Sequence, residues 1–302
     1  MREIELKDTD DLVRTLGTFL CLAFAVLAGG PELEHARTLY NQTDFDRSLR
    51  VLNGIANKDA PVHALIGRNY YMQGEYKKAA EFLEKAFSAE PGNAEDALWL
   101  GRAYGRRAET ASPFTAPGYA SKARQYFEKS VELNPANVDA LDDLFEYYLE
   151  APGLLGGGLD KAQDTADKMT RLNPSQGQFA QARLAEHRKQ FSTAEEHLRR
   201  AVDLAPHEVD HLIELARFLT KQGRIPEADQ SLERADRLAP NLPRLMYAKA
   251  DLYIQKGRNL DAAKDLLQRY MTCTLTPDDP PRSDAARLLR RLQERARGSH
   301  GS

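Results

Sequence analysis

The sequence predicts an all-α protein in which about seven helical hairpins stack into an α-solenoid with a right-handed superhelix, followed by a C-terminal capping helix. Two observations lead to this prediction. An alanine is followed by a proline at a nearly constant distance six times along the chain, and an amphipathic segment precedes each of these alanines. The separation is twelve residues in five pairs and fourteen in the last. The pairs are Ala79/Pro91, Ala123/Pro135, Ala162/Pro174, Ala194/Pro206, Ala228/Pro240 and Ala263/Pro277.

Residues 209–242 show the repeating unit most plainly. Leu232 and Ala235 follow Ala228 by four and seven positions, which places all three on one helical face. Pro240 ends this helix, because proline has no N–H for the next turn. A second amphipathic helix lies upstream, and its apolar face consists of Leu212, Leu215, Ala216 and Leu219.

This pattern resembles the tetratricopeptide repeat, a 34-residue helix–turn–helix unit with small residues where its two helices cross. The resemblance covers residues 31–277. It implies that the crossing positions, such as Gly67 and Ala79 in residues 60–93, stay small because the backbones approach closely there. The expected units lie near residues 31–59, 60–93, 94–137, 138–174, 175–208, 209–242 and 243–277.

Two units depart from the regular spacing. The distance from the small residue of the first helix to the alanine of the second is twelve residues in three other units. It rises to twenty-two residues from Gly101 to Ala123 and to seventeen from Phe145 to Ala162. We expect the extra residues to lie in the turn within each unit. Phe145 is also large for its position, which predicts irregular packing in the fourth unit.

The two extended turns, residues 110–118 and 151–158, occupy equivalent positions in adjacent units. Equivalent turns line one edge of a stacked array, so we expect them to be neighbours. Each turn contains or directly precedes apolar residues in a stretch otherwise suited to solvent. These residues either form an exposed edge that binds a partner or cover one another. They are Phe114, Tyr119, Leu154 and Leu155.

The first helix of each unit is expected to line the concave wall of the solenoid. Some tetratricopeptide-repeat domains hold a peptide's terminal carboxylate with a Lys/Asn clamp. This chain has arginines instead, so the resemblance implies only a general attraction for anions. The alternative is a solvated face with ordinary intramolecular ion pairs. The candidate partner-binding residues of this groove are Arg68, Tyr71, Arg102, Arg106, Asp142, Glu146, Arg183 and Arg217.

Composition argues against several classes of function. The chain has 42 basic and 45 acidic side chains, which argues against a surface built to coat nucleic acid. Its two cysteines, Cys21 and Cys273, are too few for a disulfide framework or a cysteine-based zinc site. Taken together with these exclusions, the resemblance to the tetratricopeptide repeat implies a non-enzymatic scaffold for a protein or peptide ligand, with no cofactor, no metal and no nucleic acid. A structural subunit of a cell-envelope assembly is an alternative, and the sequence does not indicate an oligomeric state.

One segment matches a catalytic motif. His207, Glu208 and His211 fit H-E-x-x-H, which in zincin metallopeptidases places two zinc ligands on one helical turn. Pro206 directly before the motif places it across a turn instead of inside a helix, and Asp210 puts a charge within it. A zinc-dependent hydrolase is therefore the less favoured alternative.

The sequence also predicts the character of the N-terminal and C-terminal segments. Residues 16–28 form an apolar run of thirteen, too short to span a bilayer but typical of a signal peptide. The acidic residues before it are atypical of such a signal, so a buried helix or short anchor is the alternative. The expected location is periplasmic or secreted, with no membrane span in the mature chain, and otherwise cytoplasmic. Residues 278–297 are expected to form the capping helix, and residues 298–302 a disordered tail.

Overall fold

A computed structural model describes residues 30–276, 278–280 and 282–299 of the chain. Within these ranges the backbone forms fifteen α-helices and no strand. The first fourteen helices pair into seven hairpins and the fifteenth follows as a cap, which confirms the predicted fold class. The hairpins are α1 (Pro31–Asn41) with α2 (Phe45–Gly54), α3 (Ala60–Met72) with α4 (Tyr76–Ala89), α5 (Ala94–Thr110) with α6 (Ala116–Leu133), α7 (Val138–Glu150) with α8 (Leu159–Leu172), α9 (Pro174–His187) with α10 (Phe191–Leu204), α11 (Val209–Lys221) with α12 (Ile225–Leu238), and α13 (Pro243–Lys256) with α14 (Leu260–Thr272). The capping helix is α15 (Arg282–Ser299).

Asparagines between hairpins fix where the next helix begins. Asn93 accepts hydrogen bonds from the backbone N–H groups of Glu95 and Asp96, at 3.0 and 3.2 Å. Asn137 caps α7 in the same way through the N–H of Ala140 at 3.1 Å. These bonds satisfy donors that the first turn of a helix leaves unpaired.

Small residues allow the helices of a hairpin to cross closely. A Cβ on Gly67 would lie 2.6 Å from Cγ of Leu83, and one on Gly101 would lie 2.4 Å from the ring of Phe127. The approach leaves no room for a side chain on either glycine. The crossing positions therefore have the packing role that the repeat pattern predicts.

Phe145 does not disturb the fourth hairpin. The sequence predicts irregular packing here, but the ring is completely buried, with 0 % exposure. It shares one apolar cluster with the small side chains of Ala162 and Ala166 and with Met169. The two alanines on the facing helix provide the space that a large ring in the first helix needs.

The extra residues of the third hairpin lengthen its helices more than its turn. Helices α5 and α6 contain 17 and 18 residues, compared with 13 and 14 in α3 and α4. Only residues 111–115 lie between α5 and α6. The non-helical turn is therefore shorter than the predicted segment 110–118. Pro117 fits the first turn of α6, where no N–H is needed.

The extended turn of the fourth hairpin folds back on the array. A short 3₁₀ helix, Gly153–Leu155, is followed by Gly156 in the left-handed region at φ +87°. The hydroxyl of Tyr147 donates to the carbonyl oxygen of Leu155 at 2.8 Å. This hydrogen bond holds the turn against α7 and directs it toward α6.

The two ends of the array meet, whereas the repeat pattern alone predicts an open stack. A guanidinium nitrogen of Arg282, at the start of α15, lies 3.5 Å from Oγ1 of Thr43 in the first hairpin. The same side chain donates to the carbonyl oxygen of Cys273 at 2.6 Å. Residues from both ends line a cavity of about 490 Å³, which we call the seam. They include Asp44, Asp46, Glu75, Leu275, Asp279 and Arg282.

The predictions for the chain termini lie largely outside the described residues. Residues 16–28, the proposed signal segment, are in this undescribed part, as are residues 300–302 of the expected tail. None of the helices in residues 30–276 and 282–299 is long and apolar enough to cross a membrane.

Candidate functional site

The first helices of successive hairpins lie side by side and form an inner wall crossed by ion pairs. Each of the five arginines predicted for the groove lies against a carboxylate, which balances its charge. This arrangement matches the alternative of intramolecular ion pairs and leaves little basis for a general attraction to anions. The pairs are Arg68 with Asp96 (3.6 Å), Arg102 with Asp143 (2.5 Å), Arg106 with Glu109, Arg183 with Glu146, and Arg217 with Glu214 (2.6 Å).

Helix α7 gives the middle of this wall an excess of negative charge. Within the part of the chain that the structure describes, two of its carboxylates, Asp143 and Glu146, form ion pairs with arginines of the neighbouring helices. Burial, together with the negative charges of the nearby Glu146 and Asp143, raises the pKa of Asp142 to about 7. Oδ1 of Asp142 is buried and has no hydrogen-bond partner within residues 30–276. The acidic residues of α7 are Asp139, Asp142, Asp143, Glu146 and Glu150.

An open cavity of about 580 Å³ lies where α5, α6 and α7 meet the extended turn after α7, and we call it the α5–α7 cavity. It contains five of the residues predicted from sequence: Tyr71, Arg102, Arg106, Glu146 and Leu155. Residues of the predicted groove and of the extended turn thus line the same cavity. The remaining lining residues are Gly105, Ala108, Glu109, Ala120, Ala123, Phe127, Asp143, Tyr147, Glu150, Ala151 and Pro152.

Aromatic rings support one side of this cavity. The ring of Tyr71 meets the ring of Trp99 edge-on, with 5.3 Å between centroids. The guanidinium of Arg102 lies 5.1 Å from the centroid of Trp99, within the range of a cation–π contact. Burial raises the pKa of Tyr71 to about 12, so its hydroxyl stays protonated at neutral pH. Trp99, which the sequence reasoning missed, therefore holds two residues of the site in place.

Gly105 is a second residue that the sequence reasoning missed. It lies within α5 and lines the cavity, and a Cβ placed on it would meet no atom within 4 Å. By contrast, Gly101 one turn earlier is fully enclosed. Both are glycines in one helix, so only the folded structure distinguishes the open position from the packed one.

The four apolar residues of the extended turns do not share one surface. Phe114 and Leu154 are 96 % and 97 % exposed, so neither covers the other. Tyr119 shares a cavity with the turn of the preceding hairpin, and Arg107 of α5 lies 4.1 Å from its ring centroid. Leu155 instead lines the α5–α7 cavity. The edge therefore offers two exposed apolar side chains, Phe114 and Leu154, and Leu155 belongs with the groove.

The H-E-x-x-H segment does not assemble a metal site. His207 is exposed in the turn before α11, and Glu208 is the residue that precedes the helix. His211 is only 3 % exposed and lies beside the ring of Phe179, at 6.5 Å between centroids. Burial lowers the pKa of His211. The two imidazoles are in opposite environments, so the segment lacks the paired ligands that the hydrolase alternative requires.

Comparison with known proteins shows which repeat family the chain is similar to. Tetratricopeptide-repeat family profiles match residues 60–93 and 185–244. These two matches confirm the resemblance to the tetratricopeptide repeat found in the sequence, and the described residues have the α-solenoid fold that this resemblance implies. Such repeats support a role as a protein-interaction scaffold. No curated protein sequence matches the chain.

Solved structures with this fold share it at low sequence identity. TTC0263, a tetratricopeptide-repeat protein of Thermus thermophilus, is 20 % identical, with a TM-score of 0.52 over 62 % of this chain and 97 % of its own. A tetratricopeptide-repeat protein of Parabacteroides merdae is 15 % identical, with a TM-score of 0.56 over 87 % of this chain and 97 % of its own. Human IFIT1, solved as a dimer with PPP-AAAA, is 18 % identical, with a TM-score of 0.54 over 80 % of this chain and 54 % of its own. The likeness is one of fold.

Proposed function

We propose that this protein is a non-enzymatic scaffold that holds a short segment of a partner protein in the α5–α7 cavity. The observation that carries the proposal is the cavity itself, which gathers groove residues from three hairpins and Leu155 from the extended turn. Its volume of about 580 Å³ lies within the range typical of ligand sites.

The lining supports a peptide as the ligand. Ala120, Ala123 and Phe127 of α6, of which the last two are buried, contribute the apolar part of the lining, which we call the floor. Charged side chains of α5 and α7 contribute its polar part, which we call the rim. An apolar floor takes up an aliphatic or aromatic side chain, and a polar rim orients the backbone that carries it. Because each hairpin packs on its neighbours, the shape of this surface is held without the ligand.

Filling the cavity tests the proposal. Peptides of twelve residues would be selected from a random phage-displayed library on the full-length protein, and their affinities measured by fluorescence anisotropy. Gly105→Leu places a side chain into the cavity, and we expect affinity to fall at least about tenfold, equivalent to about 1.4 kcal/mol. Gly118→Leu is the matched control, because Gly118 is an exposed helical glycine with open space beside it.

The control should bind with the affinity of the native protein. Circular dichroism of both variants confirms that the helices are retained. Equal affinities of Gly105→Leu and the native chain for the selected peptides would refute the proposal, because the peptides would then bind elsewhere.

A further inference from the structure

We infer that the partner segment in the α5–α7 cavity is basic and apolar, with a lysine or arginine beside an aliphatic or aromatic side chain. This inference rests on the proposed function and names the chemistry of the ligand. It reverses the charge preference that the groove arginines suggest in the sequence.

The first step is the charge of the cavity lining. Its two cations are Arg102 and Arg106, which form ion pairs with Asp143 and Glu109 of the same lining. The carboxylate of Glu146 forms an ion pair with Arg183 of α9. After these pairs have formed, the lining keeps negative charge and has no unpaired cation of its own.

Glu150 provides the clearest unpaired charge. It is exposed at the last residue of α7, lines the cavity, and has no ion pair or hydrogen bond from its side chain within the described residues. On the same helix, Asp139 also has no ion-pair partner among the described side chains, so the acidic surface continues along α7 beyond the cavity. A surface of one sign attracts the opposite charge and disfavours its own.

The second step is the combination of this charge with an apolar floor. A lysine or arginine side chain has an aliphatic stem and a charged end. The stem packs on an apolar surface, while the charged end stays at a polar rim. The rings of Tyr71 and Tyr147 line the same cavity, and aromatic faces attract cations. The lining therefore suits both parts of a basic side chain, together with an apolar neighbour on the floor.

An acidic ligand faces two obstacles here. Its carboxylate would need to displace Asp143 from Arg102 or Glu109 from Arg106, because these arginines are already paired. It would also lie near Glu150 and Glu146, whose charges repel it. A polynucleotide meets the same repulsion from its phosphates.

Peptide arrays with matched composition test the inference. Three sets of 12-residue peptides would be probed with the full-length protein: Lys/Arg with Leu/Phe, Glu/Asp with Leu/Phe, and Lys/Arg with Ser/Gly. We expect peptides of the first set to bind on average at least about tenfold more tightly than those of either other set, which corresponds to about 1.4 kcal/mol of preference. Binders drawn mainly from the acidic set would overturn the inference.

Charge reversal at one residue provides the second readout. Glu150→Lys should lower the affinity for the tightest-binding basic–apolar peptides at least about fivefold, and it should reduce the dependence of that affinity on salt concentration. Glu81→Lys is the matched control, since Glu81 is an exposed carboxylate of α4 outside the cavity lining. Glu150 has no side-chain partner to lose, so a merely structural role would leave the affinity unchanged. Unchanged or stronger binding by Glu150→Lys would contradict the inference.

The same peptides separate this inference from the proposed function. If Gly105→Leu abolishes binding but the arrays show no charge preference, the cavity is the site and the inference about charge fails. If Gly105→Leu leaves the affinity of every bound peptide unchanged, the cavity proposal fails as well. Absence of binding in all three sets would overturn both.

Discussion

Nε of Arg102 donates to the carboxylate of Asp143 at 2.5 Å, and this ion pair joins the first helices of two neighbouring hairpins. Both side chains are partly buried in the inner wall. The pair has two consequences. It stabilises the contact between α5 and α7, and it removes the positive charge that Arg102 would otherwise offer to a ligand. Similar pairing of the other groove arginines leaves the wall acidic.

A double-mutant cycle measures the strength of this pair. We expect Arg102→Met and Asp143→Asn to show a coupling free energy of about 1 kcal/mol, because the pair is partly shielded from water. The free energies of unfolding would be measured by urea denaturation. Asp139→Asn serves as the control, because Asp139 is exposed on the same helix and should change stability by less than about 0.5 kcal/mol. Additive effects of the two substitutions would show that the pair does not join the helices.

The same substitution at two helical glycines should have opposite effects. A Cβ on Gly177 of α9 would lie 2.2 Å from the backbone Cα of Thr170, which cannot move aside. We expect Gly177→Ala to destabilise the protein by about 2 kcal/mol through overpacking. Gly105→Ala should stabilise it by about 0.5–1 kcal/mol, because its Cβ enters open space and alanine favours a helix. Urea denaturation of both variants checks the difference, and equal effects would mean that α8 and α9 are not packed as described.

Asp142 should make stability depend on pH. Its pKa is raised to about 7 in the folded state, above the value of about 3.9 for a free aspartate. Between these two values the folded state holds a proton that the unfolded state has released, so stability falls as pH rises from 4 to 7. Asp142→Asn removes this loss. We expect equal stability of variant and native protein near pH 4 and a gain for the variant of up to about 4 kcal/mol at pH 8, which is the free energy equivalent of the difference between the two pKa values.

Thermal denaturation across this pH range checks the prediction. Asp139→Asn, on the exposed side of α7, should show a nearly constant difference from the native protein. A constant difference for Asp142→Asn as well would mean that its carboxyl titrates normally.

The seam between the two ends should open when the charge of Arg282, the one arginine among the described residues that line it, is reversed. Arg282 shares this cavity with Asp44, Asp46, Glu75 and Asp279. We expect Arg282→Glu to separate the ends by like-charge repulsion and to increase the radius of gyration in small-angle X-ray scattering. Arg290→Glu, at an exposed residue of the same helix, should leave the radius unchanged. Identical scattering from both variants would contradict a seam held by Arg282.

Local repetition explains what the sequence could predict. The role of Gly101 follows from its phase within the repeat, because the same spacing recurs in other units and each helix depends on nearby residues. The partner of the next residue, Arg102, does not follow. Asp143 lies 41 residues away in the sequence. No spacing rule predicts whether the guanidinium of Arg102 pairs with this carboxylate or stays solvated.

The cavity and the seam depend on long-range geometry in the same way. The open space beside Gly105 exists because α5 and α6 are both lengthened and the turn after α7 folds toward them. The contact between Thr43 and Arg282 joins residues 239 positions apart and depends on the curvature of all seven hairpins. Small changes in each hairpin accumulate along a stacked array, so a local pattern does not determine where its ends lie.

Site-specific photocrosslinking tests the central claim most directly, because two adjacent residues face different surroundings. Leu155 lines the α5–α7 cavity, whereas Leu154 is exposed at the edge. Benzoylphenylalanine would be introduced at each position in turn, and the full-length protein irradiated with a selected 12-residue peptide. A partner segment in the cavity predicts a crosslink from position 155 and little or none from position 154. A crosslink from position 154 alone would place the partner on the exposed edge and contradict the account.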